Sequence, residues 1–215
     1  MTRRATSRAN ERIEEIHDYW IDIENRELWI HGVDDGETEE PGVDYRMATQ
    51  VIKNLHFLRA QDKEKPVIIH LQTCGGYVED GLAIYDTIKS MPYHVTMISY
   101  THARSMSSYI LQAADTRLLM PSSYFLFHWG TMSLDDTANA VYSQVEYSKK
   151  QEDVLMDIYL ERVKLGKKFK TWTDSKIRKH IEGLMDKKGD VFLVAEEAIE
   201  WGFADGILEN WDLQE

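Results

Sequence analysis

The chain has 215 residues, of which 43% are hydrophobic, so it can bury one α/β core and does not require a second domain. Its formal net charge of −12 argues against a nucleic-acid-binding surface, which would need a basic stripe, and no apolar run is long enough to span a bilayer. A single cysteine, Cys74, leaves no intrachain disulfide framework, and the sequence predicts a soluble cytoplasmic protein.

Three parts of different character follow one another along the chain. Residues 1–17 are polar and partly helical in pattern, which predicts an N-terminal arm. Residues 18–210 are predicted to form a single domain, with a protruding segment at about 130–170. Residues 211–215 form a short acidic tail.

Hydrophobic spacing predicts alternating strands and helices in the domain. Two apolar runs flank a polar turn near its start and predict a hairpin of 19–23 with 27–32. After an acidic loop at 34–40, the predicted elements are a helix at 43–60, a strand at 67–71, a helix at 79–90, a strand at 95–100, a helix at 105–114, and short strands at 116–120 and 124–128. Such a series predicts a parallel sheet and hence an α/β fold.

The C-terminal third is predicted to be mainly helical. A long helix is predicted at about 138–165, and two shorter ones follow at 174–182, capped by Thr173 or Asp174, and at about 194–201. The apolar stripe of the long helix is sparse and consists of Val141, Val145, Leu155, Ile158 and Tyr159. A helix with so few apolar residues is predicted to project from the body and to find its packing partner elsewhere.

Two loops that follow neighbouring strands carry the residue types that acyl transfer needs. The loop 72–78 (QTCGGYV) contains Gly75 and Gly76, and the lack of side chains lets backbone N–H groups point into a site. The loop 101–106 (THARSM) places Ser105 at the start of a helix, at the positive end of the helix dipole. The pattern predicts a nucleophile loop beside a donor loop.

A serine nucleophile needs a base, and His128 is the best candidate among the eight histidines. It ends the apolar run 124–127, which predicts a place at the carboxyl edge of the sheet beside the Ser105 loop. The other histidines lie in contexts typical of solvated, core or interface residues, or of a ring that points away. A third group must orient the imidazole, and Asp190 and Asp186 are both candidates.

From about residue 26 to residue 209 the chain resembles the family of the proteolytic subunit of the Clp protease (ClpP). The matching motifs are, in chain order, 73–78 (TCGGYV), 81–88 (GLAIYDTI), 103–106 (ARSM), 127–128 (FH), 190–193 (DVFL), 195–198 (AEEA) and 201–205 (WGFAD). Each motif alone is weak, whereas their order and spacing together are specific. The resemblance implies a ClpP/crotonase-like fold of repeated ββα units, with a parallel sheet and a protruding handle helix.

The resemblance also implies an activity and a mode of assembly. It implies an ATP-dependent-type serine endopeptidase with Ser105, His128 and Asp190 as catalytic triad, and with the backbone N–H groups of Gly76 and Met106 as oxyanion hole. Subunits of this family form homo-oligomeric rings, heptameric and in some cases stacked in pairs, which degrade peptides or unfolded proteins with an AAA+ unfoldase. No cofactor or metal is expected, because no His, Cys or carboxylate cluster has ligand spacing.

The chain departs from the family pattern near the site. Cys74 replaces a proline of the donor loop, which removes a φ restraint and predicts greater mobility. Arg104 replaces a small residue and predicts a positive charge near the nucleophile. About two extra residues precede Asp190, so Asp186 stays open as the triad acid. Asp135-Asp136 stand in a segment that is glycine-rich in the family and helps to hold two rings together.

Three classes of function stay open on the sequence. The first is a Clp-type serine peptidase, and the second is a catalytically silent structural subunit of such a ring, against which the intact Ser, His and Asp argue. The third is a crotonase-type acyl-CoA enzyme, which would need a catalytic Glu or Asp near the glycine loop and would leave Ser105 and His128 unexplained. Cys74 is interpreted as a small buried hydrophobe and not as a nucleophile.

Overall fold

The computed structural model describes residues 2–32 and 41–210, with side chains from residue 8 onward. Within these residues the strands are β1 (Ile21–Asp22), β2 (Glu27–His31), β3 (Val67–Gln72), β4 (Val95–Ser99), β5 (His102–Arg104), β6 (Thr116–Leu119), β7 (Tyr124–Phe127), β8 (Val191–Val194) and β9 (Gly206–Ile207). The α-helices are α1 (Thr2–Tyr19), α2 (Tyr45–Gln61), α3 (Val78–Lys89), α4 (Met106–Leu111), α5 (Ala138–Val163), α6 (Asp174–Lys188) and α7 (Ala195–Trp201). The expected acidic loop at 34–40 and the acidic tail at 211–215 lie outside the described residues.

Six strands form the main sheet, in the order β1-β2-β3-β4-β6-β9, and all of them are parallel except β1. The sheet is built from short apolar runs, and Val67, Ile69 and Leu71 of β3 are fully buried. The predicted hairpin is confirmed, with Ile21 opposite Leu28. The predicted α/β fold with a parallel sheet is also confirmed.

A second sheet has three strands in the order β5-β7-β8, which come from three separate parts of the chain. β5 and β7 run parallel, with Arg104 opposite Leu126, and β8 runs antiparallel to β7, with Val191 opposite Phe127. The C-terminal ends of β5 and β7 therefore lie at the same end of this sheet as the N-terminal end of β8. Residues just after β5 and β7 and just before β8 are brought together there. Neither β5 nor β8 is predicted from the sequence, because three or four residues are too few to show a period.

The long helix α5 has two different halves. Its first half is largely exposed, with Tyr142 at 72% exposure, whereas its last turns bury Met156, Tyr159 and Val163. The predicted projection from the body describes the exposed first half, whereas the C-terminal turns pack into the core, because the sparse average over the helix hides one apolar segment at that end. No helix in the described part of the chain combines the length and apolarity that crossing a membrane requires.

Helix α6 extends beyond the predicted end at residue 182. Thr173 caps its start by accepting a hydrogen bond from the backbone N–H of Lys176. The extension follows from one buried face with a spacing of four, formed by Ile177, Ile181 and Met185. Gly189, with φ +72°, ends the helix and turns the chain toward β8.

A buried arginine joins β6 to the C-terminal segment. Arg117 is 1% exposed, and its guanidinium donates to the two carboxylate oxygens of Asp205 at 2.9 and 2.5 Å. It also donates to Gln112 Oε1 at 2.7 Å and to the Gly202 carbonyl at 2.8 Å. These bonds satisfy a charge that would otherwise be costly to bury.

Asp205→Ala is expected to destabilise the fold by about 3 kcal/mol and to lower Tm by about 6–12 °C, because it leaves the Arg117 charge buried with no counter-charge. Thermal unfolding at a fixed protein concentration measures the shift. Glu200→Ala removes an exposed carboxylate nearby in sequence and serves as the control. Equal Tm values for the two variants would contradict a structural role for the pair.

Candidate active site

Ser105 occupies a tight turn between β5 and α4. Its backbone has φ +52° and ψ −131°, a conformation that costs a residue other than glycine on the order of 1–3 kcal/mol. Ser107 Oγ donates to the Arg104 carbonyl at 2.7 Å, and Ser108 Oγ donates to the Ser105 carbonyl at 2.5 Å, so both hydroxyls hold the turn. A serine on a strained strand–turn–helix junction exposes its Oγ, as nucleophilic serines require.

Ser105, His128 and Asp190 form one continuous chain of hydrogen bonds. His128 Nε2 lies 2.9 Å from Ser105 Oγ, and His128 Nδ1 lies 3.0 Å from Asp190 Oδ1. An ionised carboxylate can only accept, so Nδ1 carries the ring proton, and Nε2 of the neutral ring accepts from the serine hydroxyl. In this tautomer the imidazole can take the serine proton. The shared edge of β5, β7 and β8 brings the three side chains together.

The other candidate acid, Asp186, has a different partner. Its Oδ1 accepts a hydrogen bond from the indole Nε1 of Trp129 at 2.9 Å. Asp186 lies in the last turn of α6, whereas Asp190 directly precedes β8 and so reaches the end of β7. Nothing in the sequence pattern indicates this bond, and the one sequence signal for a role of Trp129 at the site is its adjacency to His128.

The glycine loop packs directly against the Ser105 turn. Gly75 has φ +96°, and a Cβ built there would lie 2.7 Å from the Met106 nitrogen and 2.7 Å from Ser105 Cβ. Only glycine allows this approach without a shift of the backbone. The loop backbone, which continues into Gly76, therefore lies beside the predicted nucleophile.

The segment before α2 holds the same loop from its other side. The Val43 N–H donates to the Gly75 carbonyl at 2.5 Å, and the Tyr77 N–H donates to the Val43 carbonyl at 2.9 Å. The mobility predicted from Cys74 in place of proline is opposed by these two bonds, which restrain the loop on both sides of Gly76.

A cavity of about 420 Å³ opens beside these residues. Gly76, Ser105, Met106 and His128 line it together with one face of α5, while Asp190 contacts the far nitrogen of the imidazole. The structure thus brings all five predicted site residues to one place. Among the described residues, no group of three His, Cys, Asp or Glu side chains is arranged to hold a metal ion.

Two neighbours of Ser105 are directed elsewhere. The His102 ring packs edge-on against Tyr124, with ring centroids 5.4 Å apart. The Arg104 guanidinium lies 3.5 Å from the Tyr124 hydroxyl, and Arg104 does not line the cavity. The positive charge that the sequence predicts near the nucleophile is therefore absent from the cavity wall as far as the structure describes it.

A serine, a histidine and an aspartate joined in this order beside an open cavity are the arrangement that serine hydrolases use. The α/β fold and this site together define a candidate hydrolase. A family model described as Clp protease matches residues 39–211. The chain belongs to the Clp protease family.

Two relatives are similar over most of the chain. The "ATP-dependent Clp protease proteolytic subunit" of Chaetosphaeridium globosum is 29% identical over 189 residues, which is 86% of this chain and 86% of the relative. A protein of the same name from Deinococcus radiodurans is 28% identical over 170 residues, which is 78% of this chain and 77% of the relative. The resemblance stated from the sequence is confirmed, and the low identity makes the chain a divergent member.

Proposed function

We propose that the protein is a serine-type endopeptidase, the proteolytic subunit of an ATP-dependent protease. The observation that carries this proposal is the hydrogen-bonded chain from Asp190 through His128 to Ser105 at the wall of a cavity. Membership of the Clp protease family supports a peptidase. The strained backbone of Ser105 supports a serine as the nucleophile.

In the proposed reaction Asp190 holds the Nδ1 proton of His128, and Nε2 takes the hydroxyl proton of Ser105 as Oγ attacks a peptide carbonyl. The backbone N–H groups of Gly76 and Met106 stabilise the oxyanion, each donor contributing roughly 3 kcal/mol. His128 then gives its proton to the leaving amine. Water then loses a proton to His128 as its oxygen attacks the acyl carbonyl, and His128 returns that proton to Ser105 Oγ as the bond between Oγ and the acyl carbon breaks and the acid leaves.

A fluorophosphonate probe separates this proposal from its two alternatives, because it reacts only with an activated serine. We expect one adduct per chain, located on Ser105 by peptide mass spectrometry and absent from Ser105→Ala. A folded protein that forms no adduct would favour the silent structural subunit or the crotonase-type acyl-CoA enzyme, which binding of an acyl-CoA would then tell apart.

We further infer that the protein forms a homo-oligomeric ring of seven subunits. Two such rings are expected to stack face to face when the salt concentration is high enough. The exposed first half of α5, with Tyr142 and Tyr147 on its surface, supports a contact with neighbouring copies. The names of the relatives, ATP-dependent protease subunits, support a partner that uses ATP. The family resemblance makes an AAA+ unfoldase the proposed partner, and peptides or unfolded proteins the proposed substrates. The single cysteine supports a reducing, cytoplasmic location.

Raising the salt concentration is expected to favour the double ring over the single ring. Asp135 and Asp136 are exposed just before α5, and a two-fold axis would bring these like charges face to face. Salt screens such repulsion beyond about 10 Å at 0.1 M. Native mass spectrometry or light scattering across a salt series measures the ratio of the two assemblies.

The double variant D135N/D136N is the control, and its ratio of assemblies should depend less on salt. Monomers at every protein concentration would contradict the proposed ring. Double rings that dissociate as salt rises would contradict repulsion between the aspartates.

A further inference from the structure

One face of α5 lines the cavity that Ser105 also lines. Its residues are Ser148, Gln151, Glu152 and Leu155, whose spacings of three and four place them on a single helical face. Among the described residues that line the cavity, Glu152 is the one carboxylate, and neither lysine nor arginine is present. The one carboxylate on this lining therefore has no basic side chain beside it in the cavity wall.

Glu152 lies near the helix that begins directly after Ser105. Glu152 and Tyr109 line the same cavity. Burial raises the pKa of Tyr109 well above its usual value, a hydrogen bond with Tyr159 lowers it, and the charge of Glu152 raises it by a smaller amount. Tyr109 is about one turn along α4 from Ser105. Its ring stacks on that of Tyr159 in α5, with centroids 4.1 Å apart, so the two helices are fixed relative to each other.

Glu152 has no ion pair within the described part of the chain, although acids near it on α5 do. Glu146 Oε1 lies 3.2 Å from Lys150 Nζ, and Asp153 Oδ1 lies 2.8 Å from Arg178 Nη1. A half-buried carboxylate that faces a cavity without a counter-charge favours a ligand that brings a cation.

We propose that the cavity takes the side chain of the substrate residue whose carbonyl Ser105 attacks, and that Glu152 makes lysine or arginine the preferred residue there. This inference rests on the proposed serine peptidase function. Met106, Tyr109 and Leu155 line the cavity and give the methylene stem of such a side chain an apolar wall. Its charged end then pairs with the carboxylate.

Other side chains fit this cavity less well on physical grounds. A glutamate at the same substrate position would meet the like charge of Glu152. A leucine would displace water from the carboxylate without replacing the lost hydrogen bonds. The cavity is therefore expected to rank basic side chains first and acidic side chains last.

Matched fluorogenic peptides that differ only in the residue before the scissile bond test this ranking. For the natural chain we expect kcat/KM to fall in the order lysine, leucine, glutamate. Glu152→Gln should lower the lysine-to-leucine ratio about tenfold, since it removes one half-buried charge partner. Glu152→Lys should place the glutamate peptide above the lysine peptide, which a merely structural role of Glu152 would not do.

Glu146→Gln removes an equal charge from the exposed part of α5 and is expected to keep the lysine-to-leucine ratio of the natural chain. A ratio that Glu152→Gln leaves unchanged, or that Glu146→Gln lowers equally, overturns this inference while peptide cleavage and the Ser105 adduct keep the proposed function intact. Absence of both the adduct and the cleavage of every peptide overturns the proposed function and this inference with it.

Discussion

Replacement of Ser105 by alanine is expected to abolish cleavage of small fluorogenic peptides, with kcat falling by about 10⁴-fold or more. The substitution removes the Oγ atom that bonds to His128 Nε2, and no other atom of residue 105 can attack a carbonyl. The fold should persist, because the bond from Ser108 Oγ to the carbonyl of residue 105 stays in place. Peptide hydrolysis measures kcat, and thermal unfolding checks the fold.

Ser122→Ala is the matched control, since Ser122 is an exposed serine in the turn between β6 and β7. A Ser105→Ala protein that keeps most of its rate would contradict the proposed nucleophile. Cys74 would then be the next residue to test, because it directly precedes the two glycines of the donor loop.

Asp190→Asn is expected to lower kcat by about 10³–10⁴-fold. The amide NH₂ of asparagine donates to His128 Nδ1, which moves the ring proton to Nε2. In that tautomer the imidazole can no longer accept the proton of Ser105. The rate of peptide hydrolysis measures the loss, and an unchanged Tm shows that the loss is chemical.

Asp186→Asn is the matched control for the triad acid. Its effect on kcat should be mild, because an amide oxygen still accepts the hydrogen bond from the Trp129 indole. Equal losses in the two variants, or a larger loss for Asp186→Asn, would move the role of the triad acid to Asp186.

The main sheet is predictable from the sequence because its strands are short, uninterrupted apolar runs. The glycine pair follows β3 of that sheet, and the chain that leaves the neighbouring strand β4 passes through β5 of the second sheet to Ser105. The short strand β5 lacks such a signal, and it exists because it pairs with β7. The strain at Ser105 is also invisible in the sequence, since it arises from how the turn is held and not from the residue type.

The choice between the two acids shows a different limit. Asp186 and Asp190 have the same chemistry and lie four residues apart, so composition and spacing cannot rank them. The pairing of Phe127 with Val191 ranks them, because it sets Asp190 beside the residue that follows β7. The burial of Met156 in α5 is likewise not predictable from spacing, because it depends on which other element packs over that part of the helix.

The bonds that Asp186 and Asp190 make relate the orientation of the His128 ring to the stability of the end of α6. Trp129 is bonded to Asp186 in the last turn of α6, and His128 is bonded to Asp190, two residues beyond the end of that helix. Local unfolding of the last turn of α6 is therefore expected to weaken both hydrogen bonds together while the main sheet stays folded. A partner that stabilised or destabilised the end of α6 would therefore be expected to change the orientation of the imidazole without approaching the cavity.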